Sequence, residues 1–238
     1  MKALILAAGR GSRMKSLTGN KPKCLIELNG RPLIELQLEA IRAAGIDDIA
    51  IVTGYKSEML GVYNLERFHN DLWEQTQMVF SLSCASEWLD SGPCIVSYSD
   101  IFYEKEIVEL LKSTKANLAL AFDPRWLELW QGRFDDPLED AETFCLNDDN
   151  TVADIGGVPI SLREIQGQYM GLLKFEPDGW HVLKDIFDSL NIADQKSIDM
   201  TSILQKLIEK RVMPIQALET RGAWGELDSQ SDVEFFSN

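Results

Sequence analysis

The chain opens with a continuous apolar run, Lys2–Ala8, that is cut off by Gly9 and Gly11. A short unbroken run bounded by turn residues predicts a strand buried on both faces. Over Pro32–Ala44, residues Leu33, Leu36, Ala40, Ile41 and Ala44 recur at helical spacing, which predicts a helix with one apolar face, ended by Gly45. Further strands are predicted at Asp48–Thr53, Cys94–Ser99 and Asn117–Phe122, with a helix at Glu104–Lys112. Strands alternating with amphipathic helices imply crossover units and a parallel sheet, so the fold class is α/β. From Asp123 to Gln168 the periodicity weakens, and Trp126, Trp130, Arg133, Phe134 and a group of acids fill the stretch. Regular pattern returns with a strand at Tyr169–Phe175, helices near Gly179–Leu190 and Met200–Arg211, and strands at Met213–Leu218 and Trp224–Leu227. The weakly periodic stretch is expected to cover the open end of the sheet, where ligands of such folds bind.

Composition narrows the class. With 238 residues, 45% hydrophobic and 26% charged, the chain is built like an ordinary globular protein. No apolar run approaches the ~18 residues of a spanning helix, and Lys2–Ala8 is too short for a signal peptide, so no membrane association is expected. Four cysteines lie far apart and there are only two histidines, which argues against a zinc site and against a disulfide framework. Reduced thiols and a cytoplasmic location are the expectation. A net charge of −15 excludes a nucleic-acid surface, since phosphate backbones need basic stripes. The basic residues are nevertheless uneven: Arg10, Arg13, Lys15, Lys21, Lys23 and Arg31 crowd the first stretch, which marks where an anion would bind.

That stretch reads Leu6-Ala-Ala-Gly-Arg-Gly-Ser-Arg13, then Lys21-Pro-Lys-Cys-Leu25, then Gly30-Arg-Pro-Leu-Ile34. A strand ends in small residues, and glycines then let backbone N–H groups close on an anion. Arg13 adds a planar donor fork suited to phosphate, and Lys23 follows Pro22, which stiffens its approach. Loop, arginine and lysine together can hold a triphosphate and offset charge at the α-phosphorus. Neither a Walker loop nor a dinucleotide fingerprint is present: no Gly-Lys-Ser/Thr follows, and Met14 stands where the third glycine belongs.

The combined run over Leu6–Ile34 resembles the sugar-phosphate nucleotidyltransferase family, whose signature reads Leu-Ala-Ala-Gly-x-Gly-x-Arg, Lys-Pro-Lys and Gly-x-Pro-Leu-Ile. The resemblance implies a Rossmann-like fold: a mostly parallel mixed sheet flanked by helices, with an inserted acceptor-binding region. One domain over 1–238 follows, with a nucleotide-binding half (1–123), an insertion (124–168) and a closing part (169–238). It also implies nucleotide contacts from Leu6, Ala7, Ala8, Gly9, Arg10, Gly11, Ser12, Arg13, Lys23, Gln77 and Ser99, with Lys23 and Arg13 at the reacting phosphoryl group. Two departures stand out: Met14-Lys-Ser-Leu-Thr18 lacks the family's proline, and Gln77 replaces an asparagine.

Asp100 follows a predicted strand, and Asp228 ends Gly222-Ala-Trp-Gly-Glu-Leu-Asp228. Either alone reads as a turn former or a helix cap. The resemblance makes them a pair holding Mg2+, a cation that prefers carboxylate oxygens and keeps waters. Glu226, two residues before Asp228, points the same way on a strand and is an alternative ligand or acceptor contact.

The segments Thr76–Leu82, Trp126–Glu142 and Met200–Leu204 resemble the cytidylyltransferases of phosphocholine, aminoethylphosphonate and capsular phosphoramidate pathways, the last with phosphoglutamine-like acceptors. Three acceptor contacts are expected on chemical grounds. Trp126 and Trp130 would hold an ammonium through cation–π attraction, Glu139 or Glu142 would add a carboxylate, and Arg133 would take the acceptor phosphate. Core packing for the tryptophans, a solvated face for the acids and an ion pair for Arg133 are the alternatives. The leading function is CTP-dependent cytidylyl transfer to a small phosphorylated or phosphonate acceptor bearing an amine, with pyrophosphate released. A sugar-1-phosphate uridylyl- or thymidylyltransferase and a non-catalytic nucleotide-binding regulatory subunit are the competing readings. The partners are small molecules, and homo-oligomerisation stays open.

Overall fold

The computed structural model describes residues 1–237, with the side chains of Arg13, Lys15 and Ser16 outside the description. Apart from a two-residue antiparallel pair, Glu27–Leu28 with Arg31–Pro32, the strands are β1 (Lys2–Ala7), β2 (Ile49–Thr53), β3 (Glu66–His69), β4 (Cys94–Tyr98), β5 (Ile101–Tyr103) and β6 (Leu118–Asp123). They continue with β7 (Phe144–Leu146), β8 (Val152–Ile155), β9 (Gln168–Phe175), β10 (Gln216–Glu219) and β11 (Trp224–Glu226). The helices are α1 (Leu33–Ala43), α2 (Met78–Ser83), α3 (Ser86–Asp90), α4 (Lys105–Ser113) and α5 (Trp126–Arg133). After them come α6 (Pro177–Asp188), α7 (Ile192–Ser197), α8 (Met200–Lys210) and α9 (Gln230–Phe236).

Seven strands form one sheet in the order β10-β6-β9-β4-β1-β2-β3. Side-chain alternation divides its buried runs between two faces. Leu4, Leu6, Ala50, Val52 and Val96 point to one side, against α2, α3, α6 and α8. Ala3, Ile5, Ile49, Ile51 and Ile95 point to the other, against α1, α4 and α5. A sheet covered on both faces needs apolar residues at every position, which is why these strands read as continuous hydrophobic runs.

All neighbouring pairs in the sheet are parallel except those of β9, which runs against both β4 and β6. The reason lies in the path of the chain. It leaves β6 at Asp123 and returns at Gln168, paired directly opposite, so segment 124–168 must lie beyond the C-terminal end of β6. That is the end where β1 and β4 also finish. The segment holds α5, single turns at Pro137–Glu139 and Leu162–Glu164, and the antiparallel hairpin β7–β8. Within β9, Gly171 at φ 74 accompanies a register shift between Tyr169 and Leu173. A Cβ there would come within 2.6 Å of the Tyr98 ring, so the strand can bend against that ring only with glycine.

Most predicted elements fall within a residue or two of their observed limits. Those the periodicity did not reveal are short: the half-exposed edge strand β3, the three-residue strand β5, the helices α2, α3, α5, α7 and α9, and the β7–β8 hairpin.

Candidate active site

The loop after β1 is shaped by Gly11, which adopts a left-handed conformation (φ 69, ψ 53) before the turn Ser12–Thr18. A Cβ on Gly11 would lie 2.9–3.0 Å from the aliphatic stem of Lys23, so only glycine lets that lysine cross the loop. Thr18 donates to the Gly11 carbonyl at 2.8 Å, and Tyr55 donates to the Gly19 carbonyl at 2.8 Å. These two bonds pin a loop that lacks the expected proline. Gly9 has nothing within 4 Å of a Cβ position, leaving its backbone open to a ligand.

A cavity of about 240 Å³ lies over this loop. Leu6, Ala8, Gly9, Gly11, Ser12 and Lys23 form one wall, and Gln77, Ser99 and Asp100 belong to the others. Ala7 is not in it: it points into the core beneath the opposite face of the sheet. Arg10 lies outside as well, its guanidinium carbon 5.5 Å from the centre of the Tyr55 ring. The side chain of Arg13 lies outside the described residues. Trp73, which the sequence reading passed over, closes the cavity beside Thr76. It packs 5.2 Å from Tyr55, on a single turn too short to give a periodic signal.

At the cavity's inner end stands Lys23, buried, with its ammonium 2.7 Å from Asp100 Oδ2 and 2.5 Å from Asp228 Oδ1. The two acids meet because β5 and β11 pair antiparallel, Glu226 opposite Ile101, and Leu227 N–H then donates to the Asp100 carbonyl at 2.9 Å. Buried Gln37 of α1 donates to the carbonyls of Tyr98 and Ile101, on either side of the turn carrying Asp100. Burial alone would lower the Lys23 pKa, but Asp100, Asp228 and Glu226 together raise it above the ordinary lysine value. The ammonium is therefore fixed as a cation. Its neighbour Cys24 is no nucleophile, because burial pushes that thiol up to about 12.

Carboxylate oxygens of Asp100, Glu226 and Asp228 come within 4.8 Å of one another. Asp100 Oδ1 is buried and has no hydrogen-bond partner among the described residues. Converging oxygens with one left unsatisfied fit a hard divalent cation. Glu226 is held well above the usual carboxylate range, first by burial and then by the charges of Asp228 and Asp100, so these acids carry a deficit of positive charge that Lys23 alone does not meet.

A second cavity of about 300 Å³ opens on the other side of the same acids. Tyr98, Tyr169 and Gly171 form its floor, Met78 and Met200 its flanks. Five carboxylates face it, from Asp140, Glu142, Asp199, Glu226 and Asp228, and no lysine or arginine among the described residues does. Glu142 stands at the rim, within reach of solvent yet walled by protein; desolvation first, then Asp199 and Asp140, raise its pKa. Glu142 and Glu226, two of the expected acceptor contacts, both line this cavity.

Trp126, Trp130, Arg133 and Glu139 do not line either cavity, and the expectation for them is corrected. The tryptophans, one turn apart on α5, are 3% and 0% exposed and pack in the core beneath the sheet. A helix of eight residues lies against that core only by burying its large side chains. Arg133 has a fully buried side chain, stacked 4.7 Å from Trp130 and bonded to Asp232. Glu139 faces solvent on its single turn. Asp199, which the sequence reading passed over, doubles as the cap of α8, its carboxylate accepting from Ser202 N–H. An Asp before a helix reads as a cap, which hides its place at a cavity.

The signature of the MobA-like NTP transferase domain matches residues 3–133. The chain is similar to the CTP:phosphoglutamine cytidylyltransferase of Campylobacter jejuni, with 36% identity over 98% of both chains. It is also 36% identical to the choline-phosphate cytidylyltransferase of Streptococcus pneumoniae, over 48% of this chain and 52% of that one. Among solved structures, the inositol-1-phosphate CTP transferase of T. maritima superposes with a TM-score of 0.77 at 19% identity, covering 99% of this chain and 94% of that one.

Proposed function

The chain belongs to the MobA-like NTP transferase family, a nucleotidyltransferase by that membership, and on that premise we propose that it transfers the cytidylyl group of CTP to a small phosphorylated or phosphonate acceptor carrying an amine. The observation that carries this reading is the meeting of two unlike cavities at Lys23, Asp100 and Asp228. One is walled by the glycine loop, and the other is lined by five carboxylates and, among the described residues, by no lysine or arginine. A cavity lined by that many carboxylates favours an acceptor with a positive head, whereas a sugar-1-phosphate brings only negative charge. The relative in Campylobacter jejuni, similar over 98% of its length, is named for a phosphoglutamine acceptor, which supports the same class.

In this reading the backbone N–H groups around Gly9 and Gly11 hold the β- and γ-phosphates. A phosphoryl oxygen of the acceptor attacks the α-phosphorus, the bond to the bridging oxygen breaks, and pyrophosphate leaves with that electron pair. Lys23 gives its charge to the α-phosphoryl oxygens as negative charge gathers there. Asp100 and Asp228, with Glu226, would hold Mg2+, which supplies further neutralisation of the phosphates. Gln77 and Trp73 border the space left for the base, and Glu142 with Asp199 takes the acceptor's ammonium. No helix among the described residues is long and apolar enough to cross a membrane. The four free cysteines support a cytosolic place of work, beside the nucleotide pool.

The test is pyrophosphate release across four NTPs and acceptors matched in size with and without the amine. CTP with amine-bearing acceptors is expected to lead. Release only from UTP or dTTP with glucose-1-phosphate would replace this reading with the sugar one.

A further inference from the structure

The geometry points to Arg133 and Asp232 as a buried brace that sets the position of the metal-ligand carboxylate Asp228; neither touches substrate. The inference rests on the metal reading above. Arg133 ends α5, and Asp232 lies on α9, about a hundred residues later in the chain. The Arg133 Nε donates to Asp232 Oδ1 at 2.9 Å, with side-chain exposures of 0% and 4%. The other oxygen, Asp232 Oδ2, accepts from the backbone N–H of Asp228 at 2.9 Å, from Ser229 N–H at 2.8 Å and from the Ser229 hydroxyl at 2.9 Å. One carboxylate therefore joins the guanidinium to the backbone of the residue whose side chain meets Lys23.

Local helix capping explains part of this arrangement and leaves the rest. Ser229 and Asp232 form a capping box for α9. A capping box needs no arginine, and burying a guanidinium is costly unless it is paired. Here the arginine lies over both Trp130 and Phe134, its central carbon 4.7 and 4.9 Å from the ring centres. Both terminal nitrogens are buried without hydrogen-bond partners among the described residues, and Nη1 lies 4.0 Å from Glu226 Oε2. A cation so held fixes Asp232 from one side and faces Glu226 from the other. It ties the segment beyond β6 to the strand end that presents Glu226 and Asp228. Partners that orient a metal's ligands typically change its affinity by about 10–100-fold when removed.

The experiment measures Mn2+ binding by electron paramagnetic resonance in the full-length protein without nucleotide, for native protein, Arg133→Met, Arg133→Lys and Asp232→Asn. Arg133→Met gives the brace a sign of its own. Removing a positive charge near Glu226 would tighten cation binding if charge alone mattered, whereas losing the brace loosens it. The expected result is a fall in Mn2+ affinity of about tenfold or more in Arg133→Met and Asp232→Asn, at temperatures where each is folded. Steady-state kinetics should show the KM for the divalent cation rising while kcat at saturating cation is largely kept. Unchanged or tighter Mn2+ binding in folded Arg133→Met overturns the brace. Should that variant not fold, Arg133→Lys decides: it keeps the charge but not the planar fork, so weaker binding supports the brace and native affinity overturns it. A native protein with no Mn2+ site overturns the metal reading and the brace with it, an outcome distinct from equal binding in native and variant.

Discussion

Replacing Lys23 with alanine removes the ammonium that lies 2.7 Å from Asp100 and 2.5 Å from Asp228. At an effective dielectric constant of about 20, one such pair is worth about 6 kcal/mol before desolvation. Desolvation takes back much of that, but the acids remain when the lysine goes, and breaking a buried pair costs about 3–5 kcal/mol. The lower end applies, because the Asp100 side chain is 20% exposed and water can enter from both cavities. A loss of about 3 kcal/mol in a chain of this length should lower Tm by about 6–12 °C. Divalent cation should then stabilise the variant more than the native protein, since in the native protein it competes with the ammonium for the same oxygens. Turnover should behave differently: pyrophosphate release at saturating cation and substrates should fall by about 10²–10³, because no cation replaces Lys23 at the α-phosphoryl group. Thermal unfolding with and without Mg2+, beside a coupled pyrophosphate assay, measures both. Native Tm without cation would refute the electrostatic argument, and near-native turnover would remove Lys23 from the mechanism.

Asp228→Asn keeps the side chain's shape and takes one charge from the cluster; at fixed Mg2+ it should lose at least about tenfold in activity, with partial recovery at higher Mg2+, and EDTA should abolish native turnover. Gly11→Ala should cost about 1–2 kcal/mol for its left-handed backbone, measured by urea denaturation, and should lose activity as the new methyl displaces Lys23. Glu142 gives a pH dependence: its folded pKa lies above the ordinary 4.5, so its protonated form favours the fold, and this contribution is lost as pH rises through the folded value. An ammonium needs the deprotonated form, so acceptor KM should rise as pH falls through that same range while the KM for CTP does not, and Glu142→Gln should remove the difference.

The layered α/β fold was legible in the sequence because strands covered on both faces must be apolar at every position, and α1, α4, α6 and α8 carry their apolar residues on one face. The glycine loop after β1 was legible for a similar reason. Gly11 must be glycine where the backbone is left-handed and Lys23 crosses it, so sequence and geometry are bound together within a dozen residues. Asp100 and Asp228 could be named from their motifs, but their meeting depends on the pairing of β5 with β11, such as Glu226 with Ile101, a contact so distant along the chain that no local pattern carries it. The acid-lined cavity was the least legible part. Trp126 and Trp130 sit one helical turn apart, a spacing that serves a buried stripe as well as a ligand clamp, and only the packing of α5 against the sheet assigned them to the core. Asp199 looked like a cap because it is one, and Arg133 looked like a phosphate ligand because its partner, Asp232, lies on another helix far along the chain. Local propensity and periodicity write strands, helices and tight loops into sequence; which charges face each other is decided when the sheet closes.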